Sequence, residues 1–154
     1  MVWHMVVQMP MLILAGWLIA QELPSPPSMI MRWNRLGLTG ALTAQLILAY
    51  WMLPMAIDRA IILPISDIAK VLSLLVCGLA LRDTFLRAPV VVQVFFVGYG
   101  VSMLLGLGIY FTQTELRLCN AYSQDSQIAT GQGLIALAIL TTVMWLVAHL
   151  RRNT

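Results

Sequence analysis

The side chains in this chain that could hold a soft metal ion fall into two groups. His4, Met5 and Met9 open the first apolar run, the two methionines one helical turn apart, and Met52 and Met55 stand three residues apart in a later connection. Thioethers at i, i+3 or i, i+4 spacing project from one helix face and suit Cu(I), and an imidazole adds a nitrogen donor. Methionine is also flexible apolar filler, and with ten in the chain that reading stands beside the metal one for each of them. His4 and Met5 are the candidate metal ligands, and copper is the candidate cofactor.

Other chemistry finds less support. His149, in the apolar stretch WLVAHL, could ligate a tetrapyrrole or mark a helix end. His4 and His149 are the only histidines and fall at opposite ends of their expected spans, so they cannot sandwich one haem. Asp58, Asp67 and Asp125 could share a site, but Asp58 beside Arg59, and Asp67 one turn from Lys70, also read as ion pairs. No histidine lies within plausible reach of a Ser or Cys nucleophile, and neither an HExxH motif nor a phosphate-cradling glycine loop occurs, so no catalytic residue is assigned and no enzyme is expected. Helix interiors are expected to hold no ionisable residue, which argues against ion transport. Gln8, Gln45, Gln93 and Gln132 read as interhelical hydrogen-bond partners, and Trp33, Trp51 and Trp145 could line grooves for pigment, quinone or lipid.

The elements that must position these residues are helices in lipid. A chain 60% hydrophobic and 10% charged cannot cover a soluble surface, because soluble domains carry roughly a quarter charged residues. At about 20 apolar residues per crossing, this length permits about four to six. The apolar runs and their breaks predict an all-α bundle of about five transmembrane helices, at about 2–21, 37–55, 66–81, 90–112 and 128–150, forming one domain over residues 1–154. Pro10 interrupts the first helix and the run Glu22 to Ser28, with three prolines, stops it. The first run lacks a preceding basic stretch and a following small-residue cleavage site, so a retained helix is expected, not a removed signal peptide. Met29 to Leu36, with Arg32, Trp33 and Arg35, suits an interfacial segment. Gly98, Ser102 and Gly106 put small residues on one face of the fourth helix, where close helix packing is expected.

The nine Lys and Arg are dispersed between apolar runs, which excludes a nucleic-acid stripe and leaves membrane lipid and other membrane-protein subunits as the expected partners. With the amino terminus outside and the carboxyl terminus inside, six of them (Arg32, Arg35, Arg82, Arg87, Arg151, Arg152) lie inside against three outside (Arg59, Lys70, Arg117), the orientation the positive-inside rule prefers. Cys77 lies in an apolar run and Cys119 in a polar loop, so a disulfide is not expected. The outer face then gathers His4, Met5, the Trp51 to Lys70 connection and the Glu115 to Gln127 loop.

In that order these pieces resemble the CtaG-type membrane factors of cytochrome oxidase copper assembly, in a diverged and shortened form. The matching stretches are Trp3-His4-Met5 with Gln8, then Trp51-Met-Leu-Pro-Met-Ala-Ile-Asp58, then Ser66-Asp-Ile-Ala-Lys70, then Ser123-Gln-Asp-Ser-Gln127. The positions carried over are His4, Met5, Trp51, Pro54 and Asp58, with His4 and Met5 as metal ligands. Gln8 replaces a second imidazole, and Ser66 and Lys70 stand where the family has a histidine pair; a protonated lysine cannot ligate a cation. The resemblance implies a non-enzymatic multi-pass protein of a bacterial inner membrane that handles copper at the periplasmic face. The lost imidazoles imply instead a metal-free accessory or scaffolding subunit of a larger respiratory or photosynthetic membrane complex.

Overall fold

The computed structural model of the chain describes residues 2–24, 32–114, 116 and 123–153, and among these every regular element is a helix. A π-helical segment, Trp3–Gln8, runs into α1 (Met9–Glu22), followed by α2 (Leu38–Trp51), α3 (Pro54–Ile62), α4 (Pro64–Arg87), α5 (Val90–Gln113) and α6 (Gln124–Asn153). The wide π turn directly precedes Pro10, which has no N–H to close an ordinary helical bond to Val6. Four helices are long and apolar enough to cross a bilayer, and the bent pair of α2 and α3 makes a fifth candidate.

Three of the expected helices have corrected bounds, and proline explains two of them. The helix expected at 37–55 ends at Trp51, because Pro54 holds Leu53 in an extended conformation, and the chain restarts as α3 at 73° to α2. The helix expected at 66–81 runs from Pro64 to Arg87. Arg82 and Asp83 do not end it; Asp83 instead pairs with Arg87 one turn on, at 2.6 Å, and the helix stops at Ala88, extended ahead of Pro89. α6 starts at Gln124, earlier than the expected Ile128, and its first turn holds Asp125, where a carboxylate favours the helix dipole.

The described residues form two compact units. One, Gln8–Gln93, contains α1 to α4 and is built around α4. α1 crosses α4 where Gly16 and Gly78 meet backbone to backbone: a methyl on Gly78 would overlap the Ile13 carbonyl and come within 2.9 Å of Gly16 Cα, and one on Gly16 would overlap the Leu75 carbonyl. α2 runs antiparallel beside α4. Gly37, at φ +72°, lies against Thr84 and Ala88, Gly40 against Ala80 and Thr84, the Cys77 thiol donates to the Ala44 carbonyl, and Trp51 reaches Ser73. α2 therefore follows α4 from its Arg87 end to the level of Lys70, and α3 covers the remaining turns with Ala56, Ile57 and Ala60 buried.

The other unit, residues 1–7 and 94–154, holds most of α5 together with α6. Its centre is fully buried Phe111, Leu134 and Thr130, and Gly108 and Gly131 bring α5 and α6 into contact, a methyl on Gly108 falling 2.8 Å from the Gly131 carbonyl oxygen. The expected packing face is the wrong one. A methyl on Gly98 or Gly106 meets nothing within 4 Å, and Ser102 is exposed. Gly108 lies about 120° around the helix from Ser102, the middle of that face, so the small residue that packs projects from a different side.

These contacts set an expectation for substitution. Gly16→Ala and Gly78→Ala each force two backbones apart and should lower stability by about 1–3 kcal/mol, while Gly98→Ala and Gly106→Ala should change it by no more than about 0.5 kcal/mol in the destabilising direction. Unfolding of the four variants in detergent micelles checks the contrast.

Candidate functional site

The first unit gathers its chemistry-bearing side chains at the Pro64 end of α4. Pro64 occupies the first turn of α4, where its missing N–H is harmless, and Asp67 follows in the same turn, where the helix dipole favours its charge. Asp67 then lies one turn from Lys70, and its Oδ1 meets the Lys70 Nζ at 2.7 Å. Lys70 is only 3% exposed, whereas the Asp67 side chain is about half exposed, so the carboxylate links a buried ammonium to the surface. The Trp51 indole N–H donates to Ser73 Oγ at 2.7 Å, and the Ser73 hydroxyl donates to the Lys70 carbonyl at 3.0 Å. Trp51, at the last turn of α2, is thus tied to the same turn of α4 that carries the ammonium.

Of the positions singled out in the sequence, the structure brings Trp51, Asp67 and Lys70 into this one network. Pro54 opens α3, Asp58 is half-buried on it, and Ser66 lies one turn before Lys70 on α4. The pairing of Asp67 with Lys70 is as expected; the burial of Lys70 is not, because a charged residue next to a loop reads as interfacial.

The methionines separate. Met52 is buried while Met55 is 68% exposed, so their thioethers do not project together. His4 and Met5 sit in the π-helical segment of the other unit, His4 half-buried and Met5 buried, on different faces of that segment. Met9, at the start of α1, is buried. Among the described residues no group of three or more His, Cys, Asp or Glu side chains converges as a metal site. His149 stacks on Trp145 one turn earlier, rings nearly parallel at 4° with centroids 5.3 Å apart. Asp125 is exposed in the first turn of α6, and Cys119 and Glu115 lie outside the described residues. Trp145 lines a shallow apolar groove between α5 and α6 with Val94, Gly98, Val101 and Leu146.

A second network, at the opposite end of α4, is expected from the sequence only at Gln93, which reads there as an interhelical hydrogen-bond partner. Asn34 donates from Nδ2 to Asp83 Oδ2 at 2.6 Å, Arg87 donates from Nε to Asp83 Oδ1 at 2.6 Å, and the Gly40 N–H donates to Asn34 Oδ1 at 3.0 Å. Thr84 donates to the Gly37 carbonyl, and Gln93, beyond Pro89, donates to the Ala88 and Phe85 carbonyls. Asn34 thereby serves an otherwise orphan N–H at the start of α2 and fastens that helix to α4. The i, i+4 spacing of Asp83 and Arg87 was a visible signal; the joining of Asn34 to Asp83, 49 residues apart, had none.

Both networks spend their charges on each other and on backbone groups, a chemistry of fastening. In comparisons with known proteins, no family model, no curated protein and no solved structure matches this chain.

The Asp67 and Lys70 pair makes an asymmetric prediction. Asp67→Asn leaves a buried ammonium without its counter-charge and should cost about 1–3 kcal/mol, less than for a fully buried pair because Asp67 is half exposed. Lys70→Met, which fills the same space without charge, should cost less, and should recover part of the loss when added to Asp67→Asn. Unfolding midpoints of the two single variants and the double variant read the difference.

Proposed function

We propose that this chain is a metal-free, non-enzymatic multi-pass subunit that scaffolds or braces a larger membrane complex. The observation that carries the reading is the Lys70 ammonium, buried and paired with Asp67 in the place where the resembled family keeps a histidine pair. A cation built into the chain supplies the positive charge the neighbouring carboxylate needs, so the network holds its shape without a bound ion. The wide apolar surface of α5 and α6, from Val91 and Phe95 to Ile139 and Met144, supports the same reading, since it offers lipid and neighbouring helices a large area of contact. On the resemblance, the complex is an energy-transducing one of a bacterial inner membrane, with the amino terminus on the periplasmic side.

A second reading, copper handling at the periplasmic face, rests on His4 and Met5. Met5 is buried and His4 half-buried, a soft sulfur donor and an imidazole on consecutive residues at the head of the first span. As placed, the two donors lie on different faces and do not by themselves fit a closed site for a resident ion; the reading requires transient binding of copper as cargo.

Purification from the native membrane in mild detergent, with copper per chain and co-migrating proteins both measured, decides between them. The scaffold reading expects less than stoichiometric copper, unchanged by His4→Ala or Met5→Ala, and a chain that migrates with larger partners. Stoichiometric copper lost in both variants, on a chain that migrates alone, would reverse the order of the two readings.

A further inference from the structure

We infer that α3 is an in-plane membrane helix whose outward face is seated in the boundary between lipid headgroups and acyl chains. Its inner face is occupied already: Ala56, Ile57 and Ala60 are buried against the first unit. Its outward face and both flanks are apolar, with Leu53, Met55, Ile61, Ile62, Leu63 and Ile65 all exposed, Ile62 and Ile65 by about three quarters. Arg59 is the exposed charge among them. A helix facing water would carry the reverse pattern, and six large apolar side chains in so short a stretch form a patch that water does not tolerate on a soluble surface.

The occupant follows from what the patch joins. Along the chain it is preceded by exposed Leu46 and Tyr50 of α2 and followed by exposed Ile68 and Leu72 of α4, a helix long and apolar enough to cross a membrane, while α2 meets that test together with α3. Exposed apolar side chains thus flank α3 on both neighbouring helices, and lipid, the partner that covers a membrane span, is the partner that covers α3 as well. Geometry sets the depth. With 9 residues α3 is about 14 Å long and cannot cross, and its 73° turn from α2 lays it nearer the membrane plane than the normal. The chain bends at Leu53 and Leu63 with the N–H and C=O groups of both residues bonded to neighbouring turns, and the exposed Arg59 between them, costly in hydrocarbon, keeps the segment at the boundary and out of the hydrocarbon centre. From there the long stem of Arg59 can lie along apolar surface while its guanidinium reaches lipid phosphate. This inference holds for either reading of the function, since it concerns the lipid contact of α3 alone.

The test uses the full chain with Cys77→Ala and Cys119→Ala, spin-labelled singly at Leu46→Cys, Arg59→Cys, Ile62→Cys or Ile65→Cys and reconstituted in vesicles of phosphatidylcholine and phosphatidylglycerol. These four side chains are exposed, so the labels do not displace packed neighbours. Collision with apolar oxygen and with a water-soluble nickel chelate is measured at each. At Ile62 and Ile65 oxygen should prevail over the chelate in a ratio that approaches the one at Leu46, and at Arg59 the ratio should fall toward the chelate. The inference is overturned if the chelate prevails at Ile62 and Ile65, which would put the face in water. Exclusion of both reagents there would overturn it too, because protein and not lipid would then cover the face.

Discussion

A chain in hydrocarbon can change direction only where the backbone N–H and C=O groups released by the turn find another partner, and this constraint governs where every helix here begins and ends. Prolines mark the permitted places. Pro10 follows the π-helical segment, Pro54 and Pro64 stand in the first turns of α3 and α4, where a missing N–H costs nothing, and Pro89 immediately precedes α5. Each holds the residue before it away from helical geometry or, at Pro10, is met by a π-helical segment that widens the turn. Side chains then serve the groups left over, as Asn34 does for Gly40 and Gln93 for Ala88.

Within the first unit the same economy explains why α4 is central. Without a hydrophobic drive between helices in lipid, association depends on close approach and on polar contacts. α4 offers both. Gly78 in its middle admits α1 to backbone contact, Ala80 and Thr84 receive Gly40 of α2, and the two ends are fastened by polar networks, Trp51 with Ser73 and Lys70 at one and Asn34 with Asp83 at the other. The middle of the helix is therefore held by shape and its ends by hydrogen bonds, so α2 is fixed in both register and rotation.

Much of this was legible in the sequence, because composition and apolar length report directly on the solvent a helix needs. The all-α class, α1, α5 and the Asp67 pairing with Lys70 follow from local rules. What local rules missed has a common cause. The helix expected over 66–81 runs on through Arg82 and Asp83, because Asp83 finds a partner one turn away in Arg87. Gly98, Ser102 and Gly106 were read as a packing face because their spacing is regular; spacing shows that small residues share a face, not that a partner covers it. Asn34 falls within the expected interfacial segment and Lys70 in an expected ion pair; the bond of Asn34 to Asp83, 49 residues on, and the burial of Lys70 have no local signal. Met52 and Met55 do not share a face for a similar reason: they lie on either side of the break at Leu53, where the helical spacing that would align them does not apply.

The burial of Lys70 bears on what such a site can be asked to do. A site that loads and releases a cation must tolerate the uncompensated charge of its ligands between loads, and it does so through solvent access or exchange of protons. On the scaffold reading the lysine removes that requirement: its ammonium is part of the chain, pairs with Asp67, and is buried in the turn to which the Trp51 indole is tied. A breathing opening would have to separate Lys70 from Asp67 or Trp51 from Ser73, exposing a charge or an indole N–H to a medium poor in partners. The network thus favours one fixed arrangement of α2 against α4, and fixed geometry is what a bracing subunit contributes to the proteins packed around it.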